Sequence, residues 1–218
     1  MVAVAGRNRV LGHHGAVTTT PDLATKPTLR GRLVTLRPFR AGDAEVMAEI
    51  LSDADVRRLT GSVGTTAEAE RPEPLDDRLR DWYATRNEQT DRLDLAVEDA
   101  GTGRLVGEVV LNEVDSQALT CNLRALIGPQ GRDRGLGTEA VGLATAYGIE
   151  RLGLRRMTLE VFEFNPRARR VYEKVGYVVT GVRPDALVFD GVSVAAVDMA
   201  VDASEWAGFP PRERTVDS

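Results

Sequence analysis

Polar and apolar positions along this 218-residue chain change rhythm many times between residues 29 and 202, from the two-residue period of a strand to the three-to-four-residue period of a helix. Residues 30–39 alternate, Leu33, Thr35 and Arg37 opposing Val34, Leu36 and Pro38, which predicts a strand. Asp43 follows as the expected cap of a helix carrying Ala44, Met47, Ala48 and Leu51 on one face. A second short helix is expected over 53–59 and a turn-rich stretch over 61–74. Helical spacing then returns over 75–88 through Leu75, Leu79, Trp82 and Tyr83.

Alternation resumes over 93–98 and 104–114, with DAGTG (99–103) between them as a hairpin signal, and again over 119–127. A helix is predicted over 138–152 with Ala140, Leu143, Ala144 and Tyr147 inward, then a strand over 157–162 and a helix over 165–175. The remainder reads as a strand and a hairpin turning at Asp190 and Gly191. No internal repeat is present. This order predicts one α/β domain: a mixed sheet with an antiparallel centre and a parallel crossover at the glycine-rich segment after residue 127, flanked by helices. The domain is expected over 29–202. Residues 1–28 form an expected flexible leader, free or laid over the domain, and 203–218 a C-terminal tail.

Composition narrows the class. A hydrophobic share of 42% and a charged share of 28% are globular proportions and exclude a disordered or collagen-like chain. No apolar run approaches the roughly 18 residues of a spanning helix, and Arg7 and Arg9 interrupt the opening stretch before a secretory segment can form. A cytoplasmic protein with no membrane partner is expected. The formal net charge of −5 argues against nucleic acid as a partner. A lone Cys121 allows no internal disulfide, and His13 and His14 alone make no zinc cluster, so no metal is expected. Cys121, on a strand with no histidine in the domain to activate it, is read as a small apolar-like residue and not as a nucleophile.

The most informative segment is GPQGRDRGLG at 128–137, where a strand ends, glycines and arginines follow, and a helix begins at once. Such a junction suits anions, because glycines let backbone N–H groups approach oxygen atoms and the helix start adds unsatisfied donors. Three phosphate ligands compete. A Walker A loop needs a lysine, and none lies in the segment. GLGTEA (135–140) fits the dinucleotide form Gly-x-Gly-x-x-Ala, with Glu160 on a later strand, yet residues 129–134 intervene and antiparallel-looking strands precede it. RDRGLG (132–137) fits the coenzyme A form Gln/Arg-x-x-Gly-x-Gly/Ala.

With GLGTEAV (135–141), LGLRR (152–156) and NPRARRVYEKVGY (165–177), the chain resembles the GCN5-related N-acetyltransferases, in the branch that includes ribosomal-protein N-terminal and spermidine acetyltransferases. The resemblance runs from about Leu29 to Met199. It implies transfer of acetyl from acetyl-CoA, the cosubstrate, to a primary amine of a small molecule or a protein N-terminus, by direct attack in a ternary complex. A homodimer is left open. The resemblance also implies that the pyrophosphate meets backbone N–H groups over 132–138, which include Arg132, Arg134, Gly135, Leu136, Gly137 and Thr138. The pantetheine arm would run beside the strand ending at Leu126 and Ile127, splayed from the next strand over 157–162, with N–H groups over 126–128 facing the charge that develops on the carbonyl oxygen. A non-catalytic acyl-CoA sensor and a nicotinamide-dependent oxidoreductase are the competing classes.

On the last predicted helix, Asn165, Ala168 and Tyr172 share one stripe. The resemblance assigns the pantetheine arm to Asn165 and protonation of the departing thiolate to Tyr172; packing alone would make them a helix cap and a core aromatic. Glu108 shares a strand face with Val106 and Val110, a carboxylate where an apolar residue is expected, and reads as a general base or as the ion-pair partner of Arg124, with Glu113 in reserve. Residues 44–88 are expected to wall the acceptor pocket. There Asp53, Asp55, Trp82 and Tyr83 either receive a cation or serve as cap and core. Arg167, Arg169 and Arg170 meet the 3′-phosphate of CoA or form a solvated helix face.

Overall fold

The computed structural model describes residues 21–71 and 75–210. Eight strands hydrogen-bond into one sheet: β1 (Leu29–Arg30), β2 (Val34–Arg37), β3 (Leu93–Asp99), β4 (Leu105–Asp115), β5 (Thr120–Ile127), β6 (Arg156–Phe162), β7 (Val178–Phe189) and β8 (Val192–Asp202). Their order across the sheet is β1-β2-β3-β4-β5-β6-β8-β7. Every neighbouring pair is antiparallel except β5–β6. Helices α1 (Asp43–Leu51), α2 (Ala54–Leu59), α3 (Thr66–Ala69) and α4 (Asp77–Ala84) fall between β2 and β3 in the chain. Helix α5 (Leu136–Ala146), extended by a π-helical turn over Tyr147–Arg151, joins β5 to β6, and α6 (Pro166–Val175) joins β6 to β7. This is the mixed sheet with a parallel crossover that the element order predicts.

Local departures have local causes. The strand expected over 30–39 is a hairpin, turned where Gly31 N–H donates to Val34 O at 2.8 Å. The Glu139 carboxylate of α5 grips that turn by accepting from the N–H groups of Arg32, Leu33 and Val34 at 3.0, 2.5 and 2.7 Å. Asp43 is the first residue of α1, not its cap. Its carboxylate instead meets the Arg37 guanidinium at 2.6 Å, and Arg37 also reaches Glu98 at 2.6 Å, so one buried arginine ties α1 to β2 and β3. In the stretch expected to be loose, the Thr65 side chain caps α3 by accepting from Glu68 N–H at 3.1 Å.

The sheet buries two cores. On one face Val97, Val109, Leu111 and Leu123 pack with Ala140 and Val141 of α5 and with Tyr172 and Val175 of α6. On the other, Phe39 and Ala96 pack with Met47 and Ile50 of α1, Val56 of α2 and Tyr83 of α4. Burial of such side chains stabilises a domain by roughly 1.5–3 kcal/mol each. The flanks take part: Leu23 sits in the first core, Lys26 Nζ donates to the carbonyls of Leu23, Gln89 and Arg92 at 2.5, 2.5 and 2.6 Å, and Trp206 and Phe209 pack against the first core. Arg7, Arg9, His13 and His14 lie outside the described residues. Among the described residues no helix is long and apolar enough to cross a membrane, and no group of three or more His, Cys, Asp or Glu is placed to hold a metal ion.

Candidate active site

The parallel pair opens. β5 and β6 are in register only at Thr120, Cys121 and Asn122, opposite Arg156, Met157 and Thr158; beyond this β5 follows β4 to Ile127 while β6 follows β8 to Phe162. The far half of β5 therefore has an unpaired edge facing the gap. Gly128 N–H donates to Val106 O at 2.8 Å. Because an antiparallel ladder alternates, the Leu126 N–H also faces β4, whereas the N–H groups of Ala125 and Ile127 face the gap. Of the three N–H groups over 126–128, only that of Ile127 is left for a carbonyl oxygen. Gly107 makes the β4–β5 approach there feasible, since a Cβ would lie 2.1 Å from Leu126 O.

The glycine-rich loop ends at Gly135, whose φ of 80° is left-handed and turns the chain into α5. Glu139 N–H is bonded to Gly135 O at 3.1 Å, so the N–H groups of Leu136, Gly137 and Thr138 form the first helical turn, which has no intrahelical acceptor. The Leu136 side chain is buried in the first core, leaving only its backbone for a ligand. The loop's arginines are engaged elsewhere. Arg132 bridges Asp53 at 2.6 Å and Asp55 at 3.2 Å, and Arg134 pairs with the buried Asp99 at 2.7 Å. What the loop presents to a phosphate is thus backbone donors and the positive end of a helix, not free guanidinium charge.

Asn165, Ala168 and Tyr172 all line the same cleft, whose volume is about 1590 Å³. Asn165 caps α6, its Oδ1 accepting from Ala168 N–H at 3.1 Å, and the cap leaves the side-chain NH₂ unused. The Tyr172 ring is buried, edge-on to Tyr177 at 6.1 Å. Burial pushes its phenol up to about 12, so it stays protonated at neutral pH. No described residue hydrogen-bonds the Tyr172 hydroxyl. The ring is core, as packing alone would have it, while the hydroxyl is uncommitted. On α6, Arg169 pairs with Glu173 at 2.8 Å on a solvated face, whereas Arg167, which pairs with Asp133 of the loop at 3.4 Å, and Arg170 line the cleft.

Across the cleft, half-buried Glu108 stands on β4 opposite Ala96 and Leu126. Its hydrogen-bond partner is the Tyr83 hydroxyl, which donates to Oε2 at 3.3 Å. The expected alternative partner, Arg124, stands opposite Val110 one row along and forms neither hydrogen bond nor ion pair with Glu108. Burial, and then the nearby Asp94 charge, push Glu108 up to about 7. Glu113 is exposed at a β4 bulge with φ 53°. The four residues weighed as a cation pocket are occupied otherwise. Asp53 caps α2 and holds Arg132, Asp55 pairs with Arg132 and Arg58, Trp82 carries Arg86 at 3.6 Å and Arg92 at 5.5 Å from its ring centroid, and Tyr83 is buried against Phe39. The Cys121 thiol is buried and pushed up to about 12, which makes it a poor nucleophile. Sequence reasoning missed Asp94, which Arg92 clasps through two hydrogen bonds of 2.7 Å, and Glu139; the only signal for either was a carboxylate at an apolar-looking position.

A parallel strand pair that diverges beside a loop of free N–H groups leaves room for an extended ligand along the open edge and donors for an anionic group at the helix start. The chain belongs to the GNAT acetyltransferases: the family described as acetyltransferase (GNAT) domain matches residues 33–178. It is an acetyl-CoA-dependent N-acetyltransferase. Over 168 residues it is 27% identical to the spermidine N(1)-acetyltransferase of Escherichia coli strain K12, covering 77% of this chain and 85% of that one. A solved GCN5-related N-acetyltransferase from Brucella melitensis is 26% identical with a TM-score of 0.67, covering 86% of this chain and 84% of its own. The spermidine N-acetyltransferase of Vibrio cholerae, solved in complex with CoA and spermine, is 22% identical and shares the fold at a TM-score of 0.69, over 80% of this chain and 98% of its own.

Proposed function

We propose that the enzyme acetylates a primary aliphatic amine by direct attack while acceptor and acetyl-CoA are bound together, with Glu108 taking the amine proton, directly or through a water, and Tyr172 giving its proton to the departing thiolate. Acetyl-CoA supplies the activated acyl group. One observation carries the reading: Leu123 packs with Tyr172 in the first core while Leu126 packs with Tyr83 in the second, so Tyr172 and Glu108 approach the β5–β6 opening from opposite faces of the sheet. A thioester in the opening is within reach of an acid from one side and a base from the other. The attacking amine must be neutral, and an amine of pKa about 10 is mostly protonated at pH 7. A carboxylate titrating near that pH is matched to the proton.

The Glu108 carboxylate and the similarity to spermidine acetyltransferases support a polyamine as acceptor. A second reading rests on Arg124, exposed in the cleft with no carboxylate partner among the described residues, which suits an amine bearing a carboxylate, such as a free amino acid. Free-thiol release measured over a panel of polyamines, amino acids and peptide N-termini tests both. Acetylation of the polyamines alone supports the first reading, and of the amino acids alone, with loss of that activity in Arg124→Ala, the second. Silence across the panel with acetyl-CoA bound would replace catalysis by an acyl-CoA sensor. A thermal shift with NADH and none with acetyl-CoA would overturn the whole reading.

A further inference from the structure

We propose that Tyr83 is a positioning residue for the transfer: from α4 its hydroxyl holds one oxygen of the Glu108 carboxylate and leaves the other for the acceptor amine or a relay water. The inference rests on Glu108 being the base. Tyr83 is 4% exposed, its ring lies 4.9 Å from Phe39, and the hydroxyl points out of that core to Glu108 Oε2 at 3.3 Å. A phenylalanine would fill the core equally well, so packing does not account for the hydroxyl.

The charged groups around Glu108 come from three other elements, and none replaces Tyr83. Asp94 on β3 is the acid whose charge bears on Glu108, and Arg92 just before β3 clasps it at 2.7 Å through two hydrogen bonds. Arg86, after α4, is stacked on Trp82 and donates its Nε hydrogen to Trp82 O at 2.9 Å. Arg124 on β5 acts on Glu108 only through space. Among the described residues the phenol is the one hydrogen-bond donor on Glu108, and a hydrogen bond to the ionised form favours that form. Tyr83 itself is pushed well above its ordinary range by burial and by facing Glu108, so it remains a donor.

Tyr83→Phe keeps the ring and removes the donor. The acid limb of the kcat/KM profile should move to higher pH by about half to one unit, and the carboxyl ¹³C titration of Glu108, followed by NMR on the same protein without substrate, should move with it. A 3-fluorotyrosine at position 83, a stronger donor of similar shape, should move both to lower pH. If Glu108→Gln abolishes the acid limb while the Tyr83→Phe limb and NMR titration superpose on wild type, Tyr83 is structural and the proposal falls, with the base intact. If Glu108→Gln leaves the limb and the rate unchanged, Glu108 is not the base and both fall.

Discussion

The two halves of the cleft are built on different principles. The half proposed to hold acetyl-CoA is contiguous in sequence, from β5 through α6, and offers mainly backbone: the open edge of β5 and the first turn of α5. The half proposed to receive the acceptor draws Tyr83 from α4, Asp94 from β3 and Glu108 from β4, and offers side chains. Backbone donors are fixed by the fold and tolerate side-chain change, whereas an acceptor site made of side chains can change its substrate with few substitutions. A family can thereby share a cosubstrate while its acceptors vary.

The strongest way to break this division is Tyr172→Phe, because Tyr172 sits on the proposed acetyl-CoA half yet its proposed role runs through a side chain. Its kcat should fall by roughly 10²–10⁴-fold while acetyl-CoA affinity and melting temperature hold, since the hydroxyl has no protein partner to lose. An unchanged kcat would hand the proton to water. Glu108→Gln should lower turnover by about 10²-fold. It should also change stability with a definite sign. Glu108 is pushed up to about 7 in the folded protein from an ordinary 4.5, so the folded state binds the proton more tightly, and stability present at low pH is lost as pH rises between those values. The glutamine variant should lack that fall and, in urea melts at pH 8, exceed wild type by an amount on the order of 1–3 kcal/mol.

Smaller effects sharpen the backbone half. Gly135→Ala must place a Cβ at φ 80° and close to Leu33, and should lose about 1–2 kcal/mol in denaturant melts, with weaker acetyl-CoA binding. Arg132→Ala should be the mildest, changing acetyl-CoA affinity less than about threefold and stability by about 1 kcal/mol or less, because its guanidinium already serves Asp53 and Asp55. A tenfold loss of affinity would mean that the arginine leaves those acids for a phosphate.

The same contrast explains what was legible beforehand. The loop, its glycines, the Asn165 to Tyr172 stripe and the Asp190–Gly191 turn are local patterns, and strand and helix periods carried the sheet's order as far as the parallel crossover. The partners of charged side chains were not legible. Arg132 finds acids 79 and 77 residues away, Glu139 finds backbone N–H groups more than 100 residues away, and Glu108 finds Tyr83 in place of Arg124. No local rhythm encodes such meetings. The divergence of β5 from β6 is implied by the family resemblance but not by the strand pattern, because both strands keep ordinary alternation up to their ends and only the pairing shows the gap.

Calorimetric titration of acetyl-CoA into Gly137→Val and Glu108→Gln, beside wild type, tests the division most directly. At Gly137 a Cβ lies 3.3 Å from Ile127, and the valine methyl groups would crowd the first-turn N–H groups where the pyrophosphate is to sit. Division into a backbone half and a side-chain half predicts that Gly137→Val, still folded, loses measurable binding while Glu108→Gln binds as wild type does. Wild-type affinity in Gly137→Val, or lost affinity in Glu108→Gln, would contradict it.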